Sequence, residues 1–291
     1  NHNDILRHYL SNGENTKALE IAQVLFCLNF FKGINLKLLS LEIKKMIEEI
    51  GKVSKKSELL SIVSILDTRI KSLTQIRKKV DPLHNAEIQK HDFNSNHLTV
   101  SWDNITLLVY FFLNGEFEKA QISANNVLSN AELTEDKLPY CIAQFYDSLI
   151  SCETYAKMTS NEQQTAIETL LNRILYFKEL SKFNPDNFNH NYLILEAEMY
   201  RMKGNNEKAI FFYNKSIECC DTANLHHMSG YTHKRLASLY QTMKMNDKAM
   251  NHVIKSYNYY KFWGTETIAN KIKFEHFSMF DDLEIRMYNI S

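Results

Sequence analysis

Four short segments of the chain follow one pattern, and this repeat limits the fold more than any other feature of the sequence. In each segment an aromatic residue is followed four positions later by a turn residue, and five positions after the turn residue comes an alanine. The aromatic residues are Tyr9, Phe111, Tyr200 and Tyr240, the turn residues are Gly13, Gly115, Gly204 and Lys244, and the alanines are Ala18, Ala120, Ala209 and Ala249. The pattern is typical of antiparallel helix pairs, because the turn needs a residue that tolerates positive φ and the close helix crossing needs a small side chain.

Apolar residues recur at three- and four-residue spacing along nearly the whole chain, which predicts helices joined by short polar turns. Seven glycines and three prolines are too few for the many tight turns of a sheet-rich fold. The predicted helices cover residues 2–11, 15–32, 35–50, 55–79, 98–114, 116–130, 135–157, 161–182, 188–203, 206–221, 224–242, 246–262 and 265–280. The predicted fold class is therefore all-α, a tetratricopeptide-like superhelix of stacked antiparallel helix hairpins.

Alignment of the two best copies predicts the core residues of these hairpins. Around Gly204 they are Leu193, Ala197, Tyr200, Ala209, Tyr213 and Ser216, and around Lys244 they are Leu236, Ala237, Tyr240, Ala249, Val253 and Ser256. We expect one helical-repeat domain over residues 1–291, with a front block 1–80, a surface loop 81–97, a back block 98–280 and a tail 281–291. The loop is placed where proline, asparagine and aspartate interrupt the apolar spacing.

Charge and composition exclude several classes of function. Thirty-four basic residues balance thirty-four acidic ones, which removes the electrostatic argument for a nucleic-acid partner. The longest apolar stretches, within 22–31 and 105–113, are too short to span a bilayer, so we expect no membrane insertion. No glycine cluster could cradle phosphates, and we expect no cofactor. The five cysteines lie within apolar helical stretches, which is typical of reduced core thiols in a cytoplasmic protein.

One segment carries a more specific signal than the repeat. Residues 183–201 read FNPDNFNHNYLILEAEMYR, and residues 260–264 read YKFWG. The first resembles the run PxNFxHKYxLxxAExxR and the second the element YxxWGA, both of the helical-repeat region of large multidomain signalling proteins that contain AAA-type ATPase, GAF and histidine-kinase domains. Asn191 and Thr265 stand where that family has lysine and alanine.

This resemblance implies a regulatory or scaffolding segment that acts in signal transduction in association with a histidine kinase, and it implies no catalysis. It also implies that ATPase and kinase domains adjoin the segment in the same parent protein. Because the first residue is asparagine rather than methionine, we expect the sequence to be a segment of a longer chain.

Cysteines and histidines cluster in one region and allow two interpretations, a metal site or packing at a hairpin end. They are Cys219, Cys220, His226, His227 and His233. Adjacent helical residues point about 100° apart, so at most one member of each adjacent pair can face a common ion, and we predict packing and no metal site. A thiol nucleophile would need a neighbouring base and an orienting acid. Nothing in the local sequence supplies them, so we predict no catalytic residue and no enzyme activity.

Two further features each allow a structural and a functional interpretation. The basic run Arg77–Lys79 could contact phosphate, but at a helix end such cations also compensate the negative end of the helix dipole, which we favour. Trp263, followed by Gly264, could anchor a partner. We predict instead that it is a structural lock, because aromatic residues precede it and give it neighbours to pack on.

The first helix of each hairpin lines the concave face of a helical-repeat array, where partners usually bind. On this basis the predicted partner-binding residues are Asn191, Glu198, Arg201, Tyr231, Lys234, Ser238 and Gln241. The set is polar and suits a peptide whose acidic groups contact Arg201 and Lys234. The equivalent positions in the hairpin around Gly115 are apolar, and we expect this chain's own helices to cover them. They are Trp102, Ile105, Val109 and Phe112.

We therefore predict a non-catalytic protein-interaction or regulatory module that binds a peptide, a neighbouring domain or a second protomer on its concave face. The alternative is a small-molecule sensor domain of an ATPase-type regulator. A closed apolar pocket near Trp102 and Phe112 would favour the sensor, whereas an open polar groove around Arg201 and Lys234 would favour peptide binding.

Overall fold

The computed structural model describes residues 8–9, 11–53, 67–74, 97–129, 138–277 and 280, and within these residues all regular secondary structure is helical. The α-helices are α1 (Asn15–Phe31), α2 (Leu36–Val53), α3 (His97–Asn114), α4 (Phe117–Leu128), α5 (Leu138–Thr154), α6 (Ser160–Phe183), α7 (Pro185–Met202), α8 (Asn206–Thr222), α9 (His226–Thr242), α10 (Asn246–Trp263) and α11 (Glu266–Glu275). Residues 67–74 are also helical, and a 3₁₀ turn covers Tyr155–Lys157. The all-α prediction is confirmed.

The repeated turn residue closes each helix in the same way. Gly204 has a φ of +74°, and its N–H donates to the carbonyl oxygen of Arg201 at 3.0 Å. The next N–H, of Asn205, donates to the carbonyl oxygen of Tyr200 at 2.9 Å. These two bonds form a Schellman motif, which requires a left-handed residue just beyond the helix. The other predicted turn residues have the same conformation: Gly13 (φ +73°), Gly115 (φ +74°) and Lys244 (φ +58°).

The side chains of the repeat also share one arrangement. The four repeat alanines have no exposed surface. The lysine before each alanine lies over the aromatic ring of its own copy, with the nitrogen 5.8 Å from the ring centre for Lys17 and Tyr9, 5.3 Å for Lys119 and Phe111, 5.0 Å for Lys208 and Tyr200, and 5.4 Å for Lys248 and Tyr240. Each contact is a cation–π interaction that ties the start of the second helix to the end of the first.

The chain groups into two compact units, residues 1–147 and 148–291, and the boundary between them lies within α5. Of the predicted loop 81–97 only His97 is described, where α3 begins, and the predicted tail 281–291 and basic run Arg77–Lys79 lie outside the described residues. The organisation as a single repeat domain stays a prediction.

In the first unit the chain's own side chains cover the apolar positions of the hairpin around Gly115. Trp102, Ile105, Val109 and Phe112 are all buried. The ring of Phe31 in α1 has its centre 6.5 Å from that of Trp102. The ring of Tyr146 in α5 lies edge-on to Phe112 at 5.1 Å. The expectation that this chain's own helices cover these positions is confirmed.

In the second unit, helices α7 with α8 and α9 with α10 form two hairpins around a shared core. Of the predicted core residues, those that are buried are Ala197, Ala209, Tyr213, Ser216, Leu236, Ala237, Tyr240, Ala249, Val253 and Ser256. Trp263 has no exposed surface and stacks on His227 at 5.0 Å between ring centres. This contact fastens the end of α10 to the start of α9, as expected of a structural lock. The tetratricopeptide-like fold prediction is thus confirmed at the level of its hairpins.

Candidate functional site

The predicted partner-binding residues lie on two first helices of the second unit. Asn191, Glu198 and Arg201 belong to α7, and Tyr231, Lys234, Ser238 and Gln241 belong to α9. They differ in accessibility: Ser238 is exposed, Arg201, Lys234 and Gln241 are half-buried, and Asn191, Glu198 and Tyr231 are buried. The binding role of this set stays a prediction, but its members divide into an accessible group and a buried group.

Glu198 is the centre of the buried group, and each of its carboxylate oxygens accepts two hydrogen bonds. Its Oε1 accepts from the Tyr213 hydroxyl at 2.5 Å and from Arg235 Nε at 2.6 Å. Its Oε2 accepts from Arg201 Nε at 2.8 Å and from Arg235 Nη2 at 2.9 Å. Arg235 therefore holds the carboxylate with two parallel bonds, the arrangement that gives a guanidinium its geometric specificity.

Both arginines also reach back to α5. Arg235 Nη1 donates to Glu153 Oε2 at 2.5 Å, and Arg201 Nη2 donates to the carbonyl oxygen of Cys152 at 3.0 Å. The network contains two carboxylates and two guanidinium groups, so its formal charges cancel. It joins α5, α7, α8 and α9 through side chains that are largely buried. Glu198 has no exposed side-chain surface, and Arg201, the most exposed of the four charged members, is 25% exposed.

The environment of Glu198 fixes its charge. Burial alone would raise its pKa, but the charges of Arg235 and Arg201, with the hydrogen bonds from Arg235 and Tyr213, outweigh burial and lower the pKa to about 2. Burial, and next the Glu198 carboxylate, raise the pKa of Tyr213 well above its usual range, so its hydroxyl remains a donor. Because Glu198 is ionised at neutral pH and fully engaged, it acts as an anchor for its neighbours.

Three members of this network were not anticipated from the sequence as site residues: Glu153, Tyr213 and Arg235. Tyr213 was predicted as core, which it is, but its hydroxyl partner was not foreseen. Arg235 lies between Lys234 and Leu236 and shows no local sign of burial. The only available signal was the i, i+3 spacing of Glu198 and Arg201 on one helix face.

The accessible group lies on α9 and next to it. Lys234, Ser238 and Gln241 follow three- and four-residue spacing and so share one side of the helix. Gln241 Nε2 lies 3.5 Å from Nδ1 of His276, which follows α11. Lys234 forms no ion pair with any residue that the structure describes. A lysine without a carboxylate partner, beside neutral hydrogen-bonding side chains, leaves this side of α9 with a positive charge.

The predicted cluster of cysteines and histidines does not converge on one point, and its members make separate contacts. Cys220 is buried with its sulfur 3.9 Å from the Ser216 hydroxyl, and Cys219 accepts from Asn189 at 3.8 Å. His227 stacks on Trp263, His226 packs on Tyr259 and Phe262, and His233 forms an Nδ1–Nδ1 hydrogen bond of 2.8 Å with His252. Within the described residues, no three histidine, cysteine or acidic side chains are grouped to hold a metal ion.

The structure also bears on the thiol nucleophile, the basic run and membrane insertion that the sequence analysis considered. Burial raises the pKa of the Cys152 thiol well above its usual range, and the Glu198 carboxylate adds to the effect. A thiol that stays protonated at neutral pH is a poor nucleophile. Lys71, which precedes the basic run Arg77–Lys79, forms an ion pair with Asp67. None of the described helices is both long and apolar enough to cross a membrane.

The comparisons assign no protein family to this chain. No protein-family model matches it, and no curated protein matches it either. Among solved structures, the crystal structure of the apo form of RapI is similar to the chain, with 14% sequence identity and a TM-score of 0.43 over 99% of this chain and 71% of that chain.

Proposed function

We propose that this chain is a non-catalytic protein-interaction module that binds an acidic peptide segment of a partner through the accessible side of α7 and α9. The segment would come from another protein, a neighbouring domain or a second protomer. The observation that carries the proposal is the charge of this surface. The buried network, Arg201 included, cancels its own charges, so the excess positive charge of this surface comes from Lys234, which has no carboxylate partner among the described residues. Arg201 keeps a quarter of its side chain exposed as a hydrogen-bond donor.

The buried network supports this role by fixing the binding groups before a partner arrives. Arg201 is held by Glu198 on one side and by the Cys152 carbonyl on the other, so its exposed part has few rotamers to lose on binding. Ser238 and Gln241 add hydrogen-bonding groups on the same side of α9. Glu198, Asn191 and Tyr231 lie beneath this surface and support it.

We further propose that the module is one part of a larger cytoplasmic signalling protein. The support is the likeness of residues 183–201 to the repeat region of ATPase and histidine-kinase proteins, since this segment supplies both Glu198 and Arg201. In such a protein the adjoining ATPase and kinase domains would be natural sources of the bound segment, and binding would regulate them.

A phage-displayed library of random twelve-residue peptides tests the binding proposal. We expect the full chain to enrich peptides rich in aspartate and glutamate, and we expect their affinity to fall with added salt. Lys234→Glu should lose these peptides, because it reverses the charge at the centre of the surface. The matched control is Lys215→Glu, an exposed lysine on α8 whose partner is Glu218.

The proposal predicts that the selected peptides bind wild type and Lys215→Glu equally, and Lys234→Glu at least tenfold more weakly. Equal binding to all three proteins would contradict it, as would a selection that shows no preference for acidic peptides. Circular dichroism of each variant separates a loss of binding from a loss of fold.

The small-molecule sensor remains a second candidate because of one buried donor. The indole N–H of Trp102 is buried and has no hydrogen-bond partner among the described residues. Such donors are costly when unpaired, and a ligand could supply the acceptor. The apolar surroundings are otherwise filled by rings, so we rank this function second. A library of apolar metabolites should stabilise wild type, but not Trp102→Phe, in thermal unfolding if the sensor function is correct.

A further inference from the structure

A shallow pocket opens on α9 and α10 of the second unit. It has a volume of 290 Å³ and is lined by His226, Lys255, Asn258, Tyr259 and Phe262. Four of these residues belong to α10 and His226 begins α9, so none of them belongs to the predicted partner-binding set. The pocket is therefore a separate surface feature of the hairpin.

Three aromatic rings form its walls, and they are held in place by contacts inside the protein. The ring of His226 is stacked on Tyr259 with 6.1 Å between centres and meets Phe262 edge-on at 4.5 Å. The Tyr259 hydroxyl donates to Asp221 at 2.8 Å, and Ser229 donates to the same carboxylate oxygen at 2.7 Å. Because these bonds fix Tyr259, the pocket exists without a ligand and needs little reorganisation to receive one.

The outer wall is unusually accessible for an aromatic residue. Phe262 exposes 64% of its surface, although it belongs to the same helix as the fully buried Trp263. Covering an exposed aromatic ring contributes strongly to binding, and aromatic residues are frequent anchors at interfaces. An aromatic group inserted here would contact the rings of His226 and Tyr259 and cover Phe262.

The charge of the lining selects the kind of ligand. Lys255 is exposed and forms no ion pair with any residue in the part of the chain that the structure describes. Burial lowers the pKa of His226, while Asp221 opposes this weakly, so His226 is neutral at neutral pH. The Asp221 carboxylate, which the Tyr259 hydroxyl contacts, already accepts two hydrogen bonds. A ligand is therefore favoured when its aromatic group is accompanied by a carboxylate that can reach Lys255.

The size of the pocket limits the ligand further. Small-molecule sites usually enclose about 300–1,000 Å³, and this pocket, at 290 Å³, is at the lower end and open to solvent. It suits one aromatic side chain better than a larger metabolite. We propose that it binds an aromatic residue within an acidic peptide, with the ring placed against Tyr259 and Phe262 and a flanking carboxylate paired with Lys255. Asn258 then donates to a peptide carbonyl.

The test uses the full chain and a fluorescent five-residue peptide with a central tryptophan and two acidic residues on each side. We expect saturable binding by wild type, measured by fluorescence anisotropy. Phe262→Ala should weaken it at least tenfold, and Lys255→Gln should weaken it about threefold and reduce its dependence on salt. Phe211→Ala is the matched control, since Phe211 is 55% exposed on α8 and lies outside the pocket.

Several results would overturn the inference. These are equal binding by Phe262→Ala and Phe211→Ala, equal binding of a peptide with lysines in place of the acidic residues, or no binding by wild type at millimolar peptide. Equal affinity for indole-3-acetate alone would assign the pocket to a small aromatic acid instead. Lys234→Glu, which removes acidic-peptide binding by the α7 and α9 surface, should still bind this peptide through the pocket, and Phe262→Ala should weaken that binding at least tenfold in the same background. Failure here is therefore distinguishable from failure of the proposed α7 and α9 surface.

Discussion

At the scale of single residues, Glu198 depends on Arg235 more than on any other neighbour. We expect Arg235→Gln to lower the free energy of unfolding by about 3–5 kcal/mol, because it leaves the buried Glu198 carboxylate without the guanidinium that donates two hydrogen bonds to it. Urea denaturation at neutral pH measures the change. The matched variant is Glu198→Gln, which removes the charge on the other side of the same contact.

A double-mutant cycle decides whether this cost belongs to the pair. The variant with both substitutions should lose less stability than the two single losses added together, because no unpaired charge remains between Glu198 and Arg235. Simple additivity would show that the two side chains act independently and would contradict the network described above.

Buried histidines give the second residue-scale prediction, a loss of stability in mild acid. Burial lowers the pKa of His227 to about 3, with help from nearby His190 and His226, and burial lowers that of His190 to about 4. Since the unfolded chain protonates near pH 6.5, the stabilising contribution is complete above that pH and is lost as the pH falls toward the folded pKa. His227 alone should cost about 2 kcal/mol between pH 7 and pH 5.

The measurement is the free energy of unfolding at pH 7, 6 and 5. His227→Phe keeps a ring against Trp263 and removes one titrating group, so it should make the pH dependence less steep, while His190 still contributes. Phe211→Ala, which removes an exposed ring and no titrating group, should leave the slope as in wild type. An unchanged slope in His227→Phe would mean that this histidine is not protonated on unfolding.

At the scale of helices and turns, the repeat predicts opposite effects at two equivalent corners. Gly204→Ala should cost about 1 kcal/mol, because φ is +74° there and a Cβ would meet nothing within 4 Å, so only backbone strain is added. Lys244 has a φ of +58° with a full side chain. Lys244→Gly should therefore stabilise the protein by up to about 1 kcal/mol. Thermal unfolding compares the two, and effects of the same sign would contradict a shared turn geometry.

These turns are also where sequence reasoning worked best. The left-handed turn residue stands at a fixed distance from an aromatic residue and an alanine. The conformation of Gly204, and even of Lys244, could therefore be predicted from this spacing alone. Asn224 has a φ of +57° but belongs to a corner without the aromatic and alanine pattern, and it was missed. Helix existence was equally readable, because three- and four-residue apolar spacing extends over many residues.

Only part of the candidate site could be predicted from the sequence, because its key contacts depend on tertiary packing. Helix periodicity places Glu198 and Arg201 on one side of α7, but it cannot say how deeply another helix covers them. Glu153 meets Arg235 across 82 positions of sequence, and such contacts arise from tertiary packing. The aromatic pocket was likewise hidden, because His226 and Phe262 belong to different helices and only tertiary packing brings their rings together.

At the scale of the whole molecule, the charged network and the aromatic pocket both belong to the second compact unit. The Glu198 network uses residues from 152 to 235, and the pocket uses residues from 226 to 262. We therefore expect this part of the chain to carry both proposed binding activities. The boundary at 147 and 148 divides α5, so a fragment must begin earlier to keep this helix whole.

We expect a fragment of residues 138–291 to fold by itself and to unfold in one cooperative transition. It keeps all of α5, so Glu153 can still pair with Arg235 and the Cys152 carbonyl can still accept from Arg201. A fragment of residues 160–291 lacks both partners and should be less stable by about 3 kcal/mol or more, since it leaves buried guanidinium donors without acceptors. Circular dichroism during urea denaturation compares the two fragments. A longer fragment without a cooperative transition, or two fragments of equal stability, would show that the network with α5 does not hold the second unit together.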